Sequence, residues 1–188
     1  MEKTVLFWRR TDIEGFERLT LSIGEEGVTA SSTVLCLEDG GFRLDHHWRL
    51  DANWSAQSVA VERWNGRDHQ RLTLERVPGG WTVDGLKRPD LDGADEPDLS
   101  VTPFCNTFPI RRTPETAGAS LTLDTAFIDG PAMTVHRSKQ RYDRQGPGRV
   151  RYVDLGNSIG FEADLRVDEQ GLVVVYEHLF ERVAGNPR

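Results

Sequence analysis

Period-two alternation of apolar and polar residues runs through most of this chain. Phe42, Leu44, His46, Trp48 and Leu50 share one face of an extended segment, and Arg43, Asp45, His47, Arg49 and Asp51 share the other. Leu121, Leu123, Thr125 and Phe127 alternate with Thr122, Asp124, Ala126 and Ile128. Phe161, Ala163, Leu165 and Val167 alternate with Glu162, Asp164, Arg166 and Asp168. Such a period describes antiparallel strands with one dry and one wet face. Turn residues punctuate the pattern at Asp39-Gly-Gly41, Asn65-Gly66, Gly79-Gly80, Asp129-Gly-Pro131 and Asp168-Glu-Gln-Gly171. Strands are therefore expected near 3–9, 16–22, 27–38, 41–51, 54–64, 69–77, 80–84, 119–128, 131–143, 148–154, 157–167 and 171–180. Many short strands at regular spacing predict an all-β sandwich, roll or barrel. No segment has helical periodicity with caps, and no repeat or linker divides the 188 residues, so 1–188 is read as a single domain. The Asp-, Pro- and Gly-rich stretch from Arg88 to Ser100 reads as a long loop.

One stretch breaks the alternation. From Asp98 to Arg112, two prolines, Pro103 and Pro109, exclude a continuous helix or a central strand. Yet Leu99, Val101, Phe104, Phe108 and Ile110 are too apolar for a solvated linker. Such a segment is expected to pack on a sheet as a fixed irregular cover. Its buried amides and carbonyls then need partners, and Asp98, Thr102, Asn106, Thr107, Arg111 and Arg112 are side chains able to supply them. The segment is either a structural plug or the polar rim of a ligand site beside an apolar surface.

Thr102-Pro-Phe-Cys-Asn-Thr-Phe-Pro-Ile-Arg-Arg112 also resembles the signature of a bacterial family described as putative glycolipid-binding. The resemblance extends upstream through Phe42-Arg-Leu-Asp45, Trp48, Asp51, Trp54, Gly80-Trp-x-x-Asp-Gly85 and Leu91-Asp-Gly93. Downstream it covers Gln140-Arg-Tyr142 and Val167-Asp-x-x-Gly-Leu-Val-Val-x-Tyr176. Cys105 stands where the family pattern has Thr, Phe108 where it has Leu, and Ala94 where Cys is common; none of these removes a charge. The resemblance implies a spiral β-roll, a curled antiparallel sheet similar in shape to the half-barrels of bacterial lipoprotein carriers. Alternation alone does not separate roll from barrel.

Composition narrows the partners. The formal net charge of -7 repels phosphate backbones, so nucleic acid is not an expected partner, and no polybasic patch addresses anionic membranes. No segment is long and apolar enough to span a bilayer as a helix. The apolar run before Arg9-Arg10 is too short for a secretory core, so a cytoplasmic protein is expected. The two cysteines, Cys36 and Cys105, form no CxxC and are read as free thiols.

Several apparent chemical motifs carry little. Gly156-Asn-Ser-Ile-Gly160 has the form of a nucleophile elbow, but a strand pattern follows it where a helix is required. His46 and His47 are neighbours on one strand and point to opposite faces, His46 inward and His47 outward, so they cannot share a metal; no metal site or cofactor is expected. Asp95 and Glu96 are read as a solvated loop face, and Asp98 as the partner of Arg111 or Arg112. If the motif is extended, those arginines point to opposite sides, one of them inward. Guanidinium forks suit hydroxyl-rich or phosphorylated head groups.

Trp48 is placed as the wall of an acyl cavity, and Trp54 and Trp81 beside turns, near a head group. Gln140 and Tyr142 add polar contacts at the end of their strand, and Tyr176 faces the interior. The candidate ligand residues are thus Trp48, Trp54, Trp81, Asp98, Thr102, Asn106, Arg111, Arg112, Gln140 and Tyr142. The reading is a non-enzymatic protein that holds an amphipathic molecule, a glycolipid or related lipid, in an apolar cavity with a polar rim. Two alternatives stand beside it: a hydrolase of a lipid or sugar conjugate using Asp98 or Glu96 with an arginine, and a structural or interaction domain without a small ligand.

Overall fold

A computed structural model describes residues 2–185. Its strands are β1 (Glu2–Arg10), β2 (Gly15–Gly24), β3 (Gly27–Cys36), β4 (Phe42–Leu50), β5 (Ala56–Asn65), β6 (Asp68–Val77), β7 (Gly80–Val83), β8 (Leu86–Lys87) and β9 (Glu96–Leu99). They continue as β10 (Ser120–Asp129), β11 (Thr134–Gly146), β12 (Arg149–Asp154), β13 (Glu162–Val167), β14 (Val173–Tyr176) and β15 (Phe180–Ala184). A single short helix, α1 (Thr107–Arg112), interrupts them. All strands belong to one sheet, in the order β8-β7-β6-β5-β4-β3-β2-β1-β15-β14-β13-β12-β11-β10-β9.

That order has a simple cause. The chain meanders outward from β1 to the β8 edge, crosses once to the opposite edge at β9, and meanders back until β15 lies against β1. Neighbours in sequence are neighbours in space, as short turns require. Register shifts at Phe7/Trp8, Arg49/Leu50, Arg144/Gly146 and Arg166/Val167 bend the strands and help the sheet curl. The two edges approach without forming a ladder. Gly93 N–H donates to the Gly79 carbonyl at 3.0 Å, and Trp81 Nε1 donates to the Ala94 carbonyl at 3.0 Å. The result is an all-β, curled and unclosed roll.

The irregular segment lies inside this roll. Residues 101–110 are all buried. Phe104 and Phe108 pack edge-on against each other at 5.2 Å and against Trp48 at 6.0 and 5.4 Å. Trp48 therefore does not wall an open acyl cavity; the motif's own rings occupy that space. A second apolar cluster of Ile110, Leu123, Tyr142, Val150, Tyr152, Leu165, Tyr176 and Phe180 lines the other half of the sheet.

Local structure differs from expectation in three places. The 88–100 stretch is not all loop: Pro89–Leu91 forms a 3-10 turn, and β9 pairs with β10 in parallel, the one parallel pair among the described strands. The motif is not extended: a 3-10 turn at Phe104–Asn106 runs into α1, so Arg111 and Arg112 end a helix. Pro109 is tolerated as its third residue, where no intrahelical amide bond is made. The two C-terminal segments also differ in extent, with 156–160 forming a turn before β13 and 177–179 separating β14 from β15.

Because Phe108 sits at the centre of the ring cluster, Phe108→Ala should cost about 3–5 kcal/mol in urea unfolding. A loss below about 1 kcal/mol would mean that the segment is not part of the folded core.

Candidate functional site

Two buried polar networks hold the motif. In the first, Glu17 Oε1 accepts from Ser32 Oγ at 2.7 Å and Thr102 Oγ1 at 3.0 Å, and lies 3.0 Å from His46 Nε2. Trp48 Nε1 can only donate, and its partner at 2.8 Å is His46 Nδ1. The histidine proton therefore belongs on Nε2, directed at Glu17. Thr102 Oγ1 also accepts the Phe104 amide, which ties β2, β3 and β4 to the motif. As expected, His46 is buried, whereas His47 is exposed and bonded to Ser31.

The second network lies on the inner face of β9–β15. Asp98 accepts from Cys105 Sγ at 2.9 Å and from Gln140 Nε2. Gln140 Oε1 accepts from Tyr142 Oη at 3.1 Å, and that hydroxyl lies 2.9 Å from Asn106 Oδ1. Cross-strand register extends the wall, with Gln140 opposite Asp154, Tyr142 opposite Tyr152, and Tyr176 opposite Phe180. The rings of Tyr142, Tyr152 and Tyr176 follow one another at 5.5 and 5.8 Å.

Burial pushes the Asp98 carboxyl up against the pull of Cys105 and Gln140, and Asp154 adds repulsion. Burial, and then the charge of Asp98, push Tyr142, Tyr152, Tyr176 and Cys105 up, so these groups stay protonated donors. Asp98 itself is only half-buried.

Ile110 and Val167, which pack with the buried tyrosines, also border a cleft of about 870 Å3, whose other lining residues include Arg111, Arg144, Asp168 and Arg182. Arg111 lies 4.4 Å above the Trp54 ring and donates from Nη1 to the Gln170 carbonyl at 2.6 Å. Trp54 reaches this place from a left-handed backbone conformation at φ 65°, which costs a non-glycine residue about 1–3 kcal/mol. Asp51 holds that turn by accepting the Asn53 and Ser55 amides on Oδ1.

The sequence-selected residues thus fall into separate places. Asp98, Asn106, Gln140 and Tyr142 form one hydrogen-bonded chain, and Trp54 with Arg111 flanks the cleft. Trp48 and Thr102 belong to the Glu17 network, and Trp81 lies under Arg76 at 4.4 Å. The pairing expected for Asp98 falls instead to Glu96, which is not solvated. Glu96 accepts the Ala56 amide at 2.9 Å and lies 3.3 Å from Arg76 and 3.5 Å from Arg112. Glu17, Tyr152, Asp154, Arg144 and Arg182 were not singled out. For Arg144 the signal is the alternation carried past the expected strand end at 143, which puts it on the face of Gln140 and Tyr142. Among the described residues, no group of three His, Cys, Asp or Glu gathers as for a metal.

Fold and site together define an all-β rolled-sheet protein with an internal plug and a tyrosine-lined inner wall. Residues 5–182 match the model of the family described as "Putative glycolipid-binding", and the chain belongs to that family. The chain is also similar to the crystal structure of a DUF1089 family protein from Pseudomonas aeruginosa. The two share 31% identity with a TM-score of 0.79, over 89% of this chain and 92% of that one. No curated protein matches. No helix among the described residues is long and apolar enough to cross a membrane.

Burial pushes the Glu96 carboxyl up to about 7 from 4.5, against the Ala56 amide and the Arg112 and Arg76 charges. An acid raised on folding stabilises the fold below its unfolded pKa, and that contribution is lost as pH rises through the folded value. Between pH 4.5 and 7, Glu96→Gln should therefore gain on the wild type by at most about 3 kcal/mol in paired urea unfolding curves. Parallel pH profiles would show that Glu96 ionises at its ordinary pH.

Proposed function

We propose that the protein binds an amphipathic glycolipid or related lipid without transforming it. One observation carries this reading: the Asp98–Gln140–Tyr142–Asn106 chain lies beside a tyrosine cluster, and Ile110 and Val167, packed on that cluster, border an open cleft. A half-buried carboxylate held by an amide, beside tyrosine faces, suits sugar hydroxyls, because it offers fixed acceptors next to a flat apolar surface. Asp98 makes the contact, and Gln140, Tyr142 and Asn106 hold it in place. Trp48, Thr102, Trp81 and Arg112 serve the site by fixing the plug and the roll's edges. Acyl carbons take the cleft, against Ile110, Val167 and the arginine stems. Its volume of about 870 Å3 falls within the roughly 300–1,000 Å3 of small-molecule sites. Each methylene removed from water there contributes about 0.8 kcal/mol. Cys36 and Cys105 stand as free thiols, which fits a cytoplasmic setting and a cytoplasmic ligand.

A second reading has one observation in its favour. The Asp98 carboxyl is pushed up by burial, with Asp154 repelling it, as in a general acid beside a second carboxylate. That reading predicts turnover of a lipid or sugar conjugate.

Native mass spectrometry of the purified protein, followed by lipid extraction, separates the two. An intact bound species of lipid mass is expected, and Asp98→Asn should lower its occupancy about tenfold while leaving the unfolding midpoint within a few degrees. Unchanged occupancy in that variant would remove Asp98 from the site. Accumulation of a cleaved product with the wild type, but not with the variant, would favour the hydrolase.

A further inference from the structure

Three arginines are deeply placed enough to need compensation. Arg10 has Asp12 at 2.6 Å and Glu38 at 2.7 Å, and Arg182 has Asp168 at 2.7 Å. Arg144 has none. It is buried, at 7% exposure, and forms no ion pair with a carboxylate among the described residues. Its Nη2 donates to the carbonyls of Ile110 at 2.8 Å and Thr113 at 3.0 Å, and its Nε to that of Pro114 at 3.4 Å. These bonds fix the guanidinium on the C-terminal end of α1. They satisfy its protons on one side and set it against the partial negative end of α1, but give it no carboxylate, and Nη1 makes no hydrogen bond within the described protein.

A buried charge without a counter-charge is expensive. Here it borders an open cleft and has company. Arg111, on the same cleft, is held flat over Trp54 and also lacks a carboxylate partner. Arg182 completes the set, with its Nε buried and unpartnered. The acids of the cleft answer this charge only in part, since Asp168 attracts Arg111 without contacting it. Asp168 is committed to Arg182, and its other oxygen accepts the Gln170 and Leu172 amides. Glu115 and Glu169 are exposed on the rim, where water screens them. The chain as a whole carries a net charge of -7, so no general attraction for anions explains the arrangement.

We propose that Arg144 and Arg111 form an anion subsite in this cleft, which takes a phosphate-bearing head group. A guanidinium pre-set by carbonyls, beside a second one pre-set by a ring, presents fixed donors to phosphate oxygens at little further entropic cost. The inference deepens the lipid-binding reading and rests on it for the acyl part of the ligand, though not for the anion.

Calorimetric titration with three probes tests both parts: decyl phosphate, decyl maltoside and inorganic phosphate, the detergents below their micelle concentrations. Decyl phosphate should bind at least tenfold tighter than decyl maltoside at low salt, and the gap should narrow as salt rises. Arg111→Gln alters an exposed side chain and should keep the fold; Arg144→Gln keeps an amide for the Ile110 carbonyl. Each should close the gap about tenfold, because decyl phosphate loses the guanidinium and the stem while decyl maltoside loses only the stem's apolar contact, with circular dichroism checking the fold of both. If Arg144→Gln does not fold, Arg111→Gln and the salt series still decide. Equal affinities for the two decyl compounds, with maltoside binding intact, would overturn the anion subsite and spare the lipid reading. Arg111-dependent binding of inorganic phosphate, with neither decyl compound bound, would do the reverse.

Discussion

Ten consecutive residues, 101–110, are buried inside a sheet that cannot offer them a ladder. Every amide and carbonyl in such a segment must find a partner or cost the fold several kcal/mol. The rest of the molecule is arranged around that demand. The motif answers part of it internally, through its 3-10 turn, through α1, and through Thr102 Oγ1 on the Phe104 amide. From the sheet, Arg144 meets the Ile110 carbonyl, and Glu17, Asp98 and Tyr142 bond the side chains of Thr102, Cys105 and Asn106 and so hold the segment in place from both sides.

The plug also decides where a ligand can go. Phe104 and Phe108 occupy the first half of the roll against Trp48, so that half is closed core. The second half receives only Ile110 from the motif's apolar set. Its inner wall carries the Gln140–Tyr142–Asp98 chain, whereas the polar atoms of the first half are tied up around Glu17. Glu96, on the edge strand β9, accepts the amide of Ala56 at the start of β5, three strands in from the β8 edge, with Arg76 and Arg112 beside it.

Alternation made the strands legible, because one wet face writes itself into the sequence; Phe42 to Leu50 is β4 almost residue for residue. The helix was not legible. Pro103 and Pro109 read as breakers, yet a six-residue helix entered from a 3-10 turn leaves its first amides free anyway. Asp98, Asn106, Gln140 and Tyr142 were chosen separately for their chemistry, and the fold joins them. Their partners were not legible, because Asp98 meets Gln140 42 positions away across a parallel pair that no local pattern announces. Glu96 misled for the same reason, since its neighbours in sequence are loop-like while its neighbours in space are Ala56 and Arg112.

The two ends of the inner wall differ in a way that bears on what can lie along it. Tyr142, Tyr152 and Tyr176 are held protonated by burial and by Asp98, so the middle of the wall is neutral at any ordinary pH. Charge is confined to the ends, with Asp98 and Asp154 at one and the cleft arginines at the other. A symmetric apolar molecule would gain nothing from that gradient, since its burial energy does not depend on direction. A molecule with hydroxyls at one place and an anion at another has only one favourable orientation there. On the proposed glycolipid reading, that difference between the ends is what would set the ligand's direction, which a plain hydrophobic bin could not do.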